Sequence, residues 1–459
     1  MASSRKSSRS RVAPAVLAAR VAARLRDIVR PSARLVAGLS GGVDSVVLLD
    51  ALQRAARTLR FRLAALHVNH QLSPNARRWE AFCRKLCQAR GIPFHSVKVD
   101  VRRGAGVEAS ARAARYAAFA REPCDFVVLA HHRDDQVETL LLQLLRGAGV
   151  KGLAGMSLVR KAEGRRQNAD PSPEILRPLL DATRAEILDY AGRRRLKWIE
   201  DESNQDIYYQ RNFIRHEVLP VIARRFPAYR VTLARAADHL AEAARVLDEL
   251  AAADAAGHLE GGALSIAALR RLPPARGRNL LRYWLASRGV IMPSAERLEE
   301  ALRQALTAKQ DARVQIELGG SELRRFENRL HVVTRFEKLS AGYARRWRGE
   351  REIVLPDLGG VLTMPPAHGR GISLAQLRGH PVMIGLRRGG ERLQPDCRRP
   401  RRSLKNLLQE ARIPPWQRSR IPLIFCGGKL VWAPGIGADC AFQAAPGESA
   451  VEPAWLARD

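Results

Sequence analysis

The sequence predicts an α/β protein: a doubly wound parallel sheet first, then a mixed α/β middle domain and a small C-terminal α+β domain. Three observations carry this reading. Between residue 33 and about 146, short apolar runs alternate four times with amphipathic ones, the pattern of buried strands each followed by a covering helix. A helix-period stretch, RVTLARAADHLAEAARVLDELAAADAA, follows at 230–256. Beyond Pro365 the chain becomes short-stranded and rich in Gly and Pro.

Taken in order, residues 1–30 form a basic extension. Seven basic residues precede the first acid, Asp27, and Arg20, Arg24 and Arg26 interrupt the apolar stretch that a secretory signal needs. A basic start leading into a helix is expected, with an organellar address as the lesser reading. The run ARLVAGL then leads into VDSVVLLDALQRAAR, FRLAALHVN into NARRWEAFCRKLCQA, IPFHSVKV into VEASARAARYAAFA, and DFVVLA into DDQVETLLLQLLR. Helix-length crossovers between strands imply parallel pairing with right-handed connections, and ligands bind beyond the carboxyl ends of such strands. Both SGGVDS and HHRDDQ fall there, inside a first domain over 31–225. RKAEGRRQNADPSP, at 160–173, reads as an exposed loop, and helical patterning resumes at 183–195. The long helix at 230–256 suits a connector. A middle domain over 235–335 ends in a strand pair around VQIEL and RLHVV, with Gly319 and Gly320 near the turn. A third domain is expected over 366–459.

Lys and Arg total 78 against 46 acids in 459 residues, a formal charge of +32. Such a field concentrates polyanions at the surface without specifying a reaction, although a biased Ala- and Arg-rich composition would produce the same balance. No window approaches 18 uninterrupted apolar residues, which excludes a membrane span. Six cysteines, at 83, 87, 124, 397, 426 and 440, contain no CxxC pair. They make neither a disulfide framework nor a zinc module, and a reducing, cytoplasmic home is expected.

Ser40, Gly41, Gly42, Val43, Asp44 and Ser45 join a strand to a helix. Adjacent glycines let the backbone approach phosphate, a helix start aims free N–H groups at the anion, and Asp44 can hold the Mg2+ that accompanies a nucleotide. The GxxxxGK[ST] spacing is missing, so terminal phosphoryl transfer is not expected. The loop resembles that of the ATP-pyrophosphatase superfamily, whose members carry SGGxDS and cleave ATP between its α- and β-phosphates.

Three further clusters surround it. In AHHRDDQVET, Asp135 and Glu138 stand three apart and share one helix face, suited to receiving an ammonium group or its proton. An acidic first turn that complements the helix dipole is the equal alternative. In EASARAARY, Arg112 and Arg115 are similarly spaced, for α-phosphate charge or for a solvated face. In DESNQDIYYQRNFIRHEVLP, Arg211, Asn212 and Arg215 follow a turn and suit phosphate or a base edge.

Together with RPLL and RGAGVKGLAGM, these motifs resemble the tRNA(Ile)-lysidine synthetase family in order and spacing, strongly over 30–225. The resemblance weakens through the middle domain and returns at LRRGGERLQPDCRRPRRSLKNLLQEARIPPWQRSRIPLI. There, eleven basic residues face three acids between 384 and 420, a surface for RNA backbone. Trp416 is assigned to the small core rather than to base stacking. The family implies an adenine nucleotide α-hydrolase-like fold. It also implies ATP and Mg2+, an isoleucine tRNA with a CAU anticodon, free L-lysine, and a homodimer for many members. By matching position, residues 40–45 grip pyrophosphate and Asp44 assists Mg2+. Arg112 faces the nucleotide phosphates, Asp135 and Glu138 hold and deprotonate lysine, and Arg211 contacts the adenylated intermediate. Two departures stand out: HVNHQL replaces an expected Asp-His pair, leaving His70 without a role, and the basic start is long. The alternatives are a tRNA thiolase of the same fold, weakened by the missing CxxC, and a non-catalytic RNA-binding protein, weakened by the intact carboxylates.

Overall fold

The computed structural model describes residues 14–101, 106–161, 173–308, 314–334 and 342–457. The expected loop at 160–173 therefore lies almost entirely outside the described residues, as do residues 1–13. The chain divides into two compact units, 1–250 and 251–459.

In the first unit, α1 (Pro14–Arg26) precedes β1 (Arg34–Gly38), α2 (Val43–Leu59), β2 (Arg62–Asn69), α3 (Ala76–Gln88), β3 (Phe94–Lys98), α4 (Val107–Ala120), β4 (Phe126–Val128) and α5 (Arg133–Leu145). After it come α6 (Val150–Leu153), β5 (Val159–Lys161), β6 (Glu174–Leu176), α7 (Arg184–Arg193), α8 (Gln210–Phe213), a π-turn at Ile214–Val218, α9 (Leu219–Arg225) and α10 (Tyr229–Ala255). The sheet runs β3-β2-β1-β4-β6-β5, parallel except for β5 at its edge. It is the doubly wound architecture expected, with the four predicted strands adjacent to one another and β3 at the edge. Apolar clusters cover both faces: Val46, Leu49 and Leu52 of α2 lie within one, Tyr116 and Phe119 of α4 within the other. Leu17, Val21 and Leu25 of α1, four residues apart, join the α2 cluster, so this arginine-rich helix contributes to the core through one stripe.

Strand order reverses between β1 and β4, and a crevice opens at such a switch point. The loop after β1 needs glycine at 41, where φ is +94° and an added Cβ would sit 3.0 Å from Ile199 and 3.3 Å from the Cys83 sulfur.

In the second unit, β7 (Leu259–Glu260), β8 (Ala263–Ser265), β9 (Gln315–Leu318), β10 (Ser321–Phe326) and β11 (Arg329–Thr334) form a sheet ordered β7-β8-β11-β10-β9. Helices Ile266–Arg271, Pro274–Ser287 and Ala295–Thr307 bury Leu269, Trp284 and Leu302 in the same core as Leu323 and Leu330 of this sheet. The expected strand pair is thus corrected to a meander: VQIEL and RLHVV do not pair, but both pair with SELRRF. That middle strand was hidden because its Arg and Glu residues break the apolar alternation. Its Glu322 is buried yet neutralised by Arg324.

Residues 344–457 form small antiparallel sheets around Leu355, Ile384, Val431 and Trp432. Strands before Pro365, at Ala344–Arg346 and Gly360–Thr363, pair with strands after it. Cys397 and Cys440 are joined by a disulfide with Cα atoms 5.4 Å apart, while the other four cysteines are buried thiols. A separation of 43 residues left no spacing signal for this bond. Trp416 is not in the aliphatic core of its own segment. It packs edge-on to Phe326 and His331, with centroids 5.9 and 5.3 Å away and Arg324 over its ring, because that core is filled by Leu404, Leu408 and Leu423.

Candidate active site

The loop 40–45 is built by its own hydroxyls. Gly41 N–H donates to Ser45 Oγ (3.2 Å), and Ser45 Oγ donates to the Gly42 carbonyl (2.9 Å). Gly42 caps α2 without a side-chain bond, so the first-turn N–H groups stay available to an anion. Val43 is buried and pins the loop to the core, while Asp44 points outward into a charged network.

That network is assembled from five segments. Asp44 pairs with Arg184 at the start of α7. Its other oxygen, Oδ1, is buried without a hydrogen-bond partner, 3.7 Å from His132 Nε2. The same His132 nitrogen is 3.5 Å from Asp135 Oδ2. His132 also caps α5, and its backbone N–H donates to Asp135 Oδ2 at 2.9 Å. Asp134 accepts from the Arg184 backbone N–H (3.0 Å) and pairs with Arg230.

One turn on, Glu138 is 1 % exposed and its two oxygens accept three bonds. Arg211 Nε and Arg215 Nε each donate at 2.7 Å, and Arg215 Nη2 at 2.9 Å. Arg211 Nη2 also donates to Asp135 Oδ1 at 3.0 Å. Burial works against ionisation of Asp135, but His132, Arg211 and the capping N–H outweigh it and hold its carboxyl well below the usual range. Arg211 and Arg215 reach one carboxylate from adjacent turns where α8 widens into the π-turn.

Two cavities meet at the loop. One, about 900 Å³, is lined by Asp44, His132, Asp134, Glu138 and Arg184. The other, about 750 Å³, is lined by His67, His70, Arg112, Arg115, Asp135 and Arg211. Ser40, Asp44 and Trp79 border both. Arg112 lies with its guanidinium 4.9 Å from the Tyr116 ring and faces the second cavity, and the Arg115 Nε is buried without a partner. Neither makes the solvated face that composition alone favoured. Burial, with Arg115 and His67 beside it, pushes His70 down to about 4, so it stands in this cavity as a neutral ring.

The sequence-derived candidates converge, with Arg112 on the wall of the second cavity and the others in the network. The first turn of α5 agrees with the helix-end reading, since Asp135 caps the helix, and Asp135 also binds Arg211. Sequence reasoning missed Arg184, Arg230, His132 and Asp134. For Arg184 the one signal was its place just after RPLL, 140 residues from the aspartate it pairs with.

For Mg2+, no trio of His, Cys, Asp or Glu forms a cage among the described residues. The ion usually takes one or two carboxylates, with substrate phosphates and water completing its shell. Asp44, with one unpartnered oxygen beside the loop, fits that requirement.

Residues 16–222 match the model of a PP-loop domain, 264–331 a TilS substrate binding domain, and 382–455 a TilS substrate C-terminal domain. A protein of Nitrosomonas europaea named tRNA(Ile)-lysidine synthase is 46 % identical over 94 % of this chain and 93 % of its own. The chain belongs to the tRNA(Ile)-lysidine synthase family. Relatives of the same name from Azoarcus sp. (42 % identical, 93 % of each chain) and Coxiella burnetii (39 %, 85 % and 86 %) agree. This bears out the resemblance read from the motifs and does not favour the thiolase or the non-catalytic alternative. Like the family, the chain is an ATP-dependent ligase built on a PP-loop domain. No helix among the described residues is long and apolar enough to cross a membrane.

Proposed function

We propose that this ligase joins free L-lysine to C2 of the wobble cytidine in an isoleucine tRNA with a CAU anticodon, in the cytoplasm. The observation that carries the reading is the convergence of the pyrophosphate-type loop with Asp135, Glu138 and Arg211 in a single network. Adenylation comes first. The cytosine C2 oxygen bonds to the α-phosphorus as the bond to the β-phosphate breaks, and its electron pair leaves with pyrophosphate.

Ser40 to Ser45 grip the departing phosphates through backbone N–H and hydroxyl groups, and Arg112 faces the α-phosphate. Asp44 would hold Mg2+, which would neutralise charge on the phosphates. Arg211 then turns toward the adenylated base, which opens Asp135 Oδ1 to receive the lysine ε-ammonium and take its proton, while Glu138, still held by Arg215, keeps a negative charge beside it. The amine attacks C2 and AMP leaves with the electron pair of the C–O bond. Arg398 and Arg399, exposed in the C-terminal region, serve the tRNA backbone. A homodimer, which the family resemblance implies, is testable by sedimentation velocity.

Labelled lysine, ATP and the CAU tRNA, incubated with the protein, should give pyrophosphate release together with label in the tRNA. Pyrophosphate release with no lysine in the tRNA would sink this reading.

A further inference from the structure

We infer that Arg184 is a pyrophosphate-binding catalytic residue that exchanges partners: it holds Asp44 while the site is empty and transfers to the β- and γ-phosphates when the metal-bound nucleotide arrives. The inference rests on the adenylation half of the proposed function and not on which acceptor is adenylated.

The backbone of Arg184 is fixed three ways while its guanidinium is tethered once. Its N–H donates to Asp134 Oδ2 at 3.0 Å. Thr183 before it caps α7, accepting from the Glu186 N–H, and Glu186 returns a bond to the Thr183 N–H at 2.7 Å. Arg20 of α1 holds Glu186 in turn at 2.9 Å. Among the described residues the guanidinium itself has Asp44 as its one partner. The side chain is 44 % exposed and lines the same cavity as Ser40, Gly42 and Asp44. It can therefore swing without disturbing the helix that carries it.

Charge supplies the reason to swing. The Asp44–Arg184 pair is neutral, and the guanidinium occupies one of the two oxygens of the carboxylate that a nucleotide-borne divalent cation needs, so the two cations compete for its charge. A cation arriving with its phosphates competes for Asp44 and brings excess negative charge to the place the guanidinium has just left. A planar fork of donors suits phosphate oxygens at least as well as one carboxylate. As the α-phosphorus bond to pyrophosphate breaks, negative charge grows on the leaving oxygens, and Arg184, which lines the same cavity as Ser40 and Gly42, is then a cation free to meet it.

Equilibrium binding separates this role from a structural one. Inorganic pyrophosphate with Mg2+, and AMP alone, are titrated against the full chain and its Arg184→Ala and Arg184→Lys variants. Arg184→Ala should weaken Mg2+–pyrophosphate binding about tenfold or more, as expected for one lost charge-assisted hydrogen bond. AMP affinity should stay within about twofold, since AMP lacks the β- and γ-phosphates that Arg184 would hold. Arg184→Lys should recover part of the loss. Because Asp44 loses its competitor, Arg184→Ala should also reach half-maximal pyrophosphate binding with less Mg2+. Equal loss of AMP and pyrophosphate affinity, or no loss of either, would overturn the assignment. Neither titration contains tRNA or lysine, so failure of lysine transfer leaves this result standing.

Discussion

Removing the carboxylate of Glu138 should test whether the arginines of the site depend on it. Three hydrogen bonds of 2.7, 2.7 and 2.9 Å converge on a side chain that is 1 % exposed, from guanidiniums whose own side chains are 22 % and 34 % exposed. Stranding a buried charge by deleting its partner costs about 3–5 kcal/mol. Here Asp135 still serves Arg211 at 3.0 Å and lies 3.6 Å from Arg215, and partial exposure returns some hydration. We therefore expect Glu138→Ala to lose about 2–4 kcal/mol, and Glu138→Gln, which keeps the shape and one acceptor, about half of that. Urea denaturation followed by circular dichroism reads the change as a lower midpoint at unchanged slope. Pyrophosphate release should fall in both variants, and more than stability explains, because Arg211 and Arg215 lose their aim. A Glu138→Ala protein within about 0.5 kcal/mol of wild type would refute the reasoning, since the arginines would then be held by something else.

Asp44→Ala should abolish pyrophosphate release while leaving tRNA affinity nearly unchanged in a filter-binding assay; equal loss of both would contradict the division of labour. In the C-terminal region, Arg401 bonds the buried Asp439 at 2.7 Å and Arg402 pairs with Glu410, so a neutral test surface is narrower than the run of arginines suggests. Replacing Arg398 and Arg399 together, the latter beside Asp396 at 3.3 Å, should weaken different tRNAs about equally and flatten the salt dependence by about one to two charges, whereas Arg401→Ala should lower thermal stability instead. Asp50 supplies an acid dependence. Burial opposes its ionisation, but the Tyr190 hydroxyl at 2.6 Å and Arg90 at 2.9 Å outweigh it and lower its pKa. Its contribution is therefore full above the unfolded-state value of about 4 and is lost as pH falls through the lower folded value. Asp50→Asn should flatten stability against pH below about 4, and an unchanged acid limb would argue against the assignment.

What could be read in the sequence was whatever local pattern records. β1, β2 and β4 were legible because an inner place in the sheet demands apolar runs, and β3, an edge strand, because it follows β2 by one helix length. β6 was not, since EIL is flanked by Pro173 and Arg177 and lacks the longer apolar run that surrounds β4, and β10 was masked by its own charges. Loop 40–45 and the pair Asp135 and Glu138 were legible because both sit where one strand turns into one helix. Arg184 and Arg230 were not, because each meets its aspartate across 140 and 96 residues. Trp416 was placed wrongly because its hydrophobicity says that it must be covered but not by which segment. The Cys397–Cys440 bond was invisible for the same reason.

The mutual pairing of acids and arginines at the crevice also bears on timing. Each carboxylate that would receive an ammonium group is occupied by a guanidinium, and that guanidinium has no better destination until a phosphate is present. A lysine arriving early must evict an arginine with nothing to accept it. One arriving after adenylation finds Asp135 released from Arg211. The ion pairs thus act as an interlock on the proposed reaction, keeping the amine away from the activated phosphate of ATP until the base has been charged.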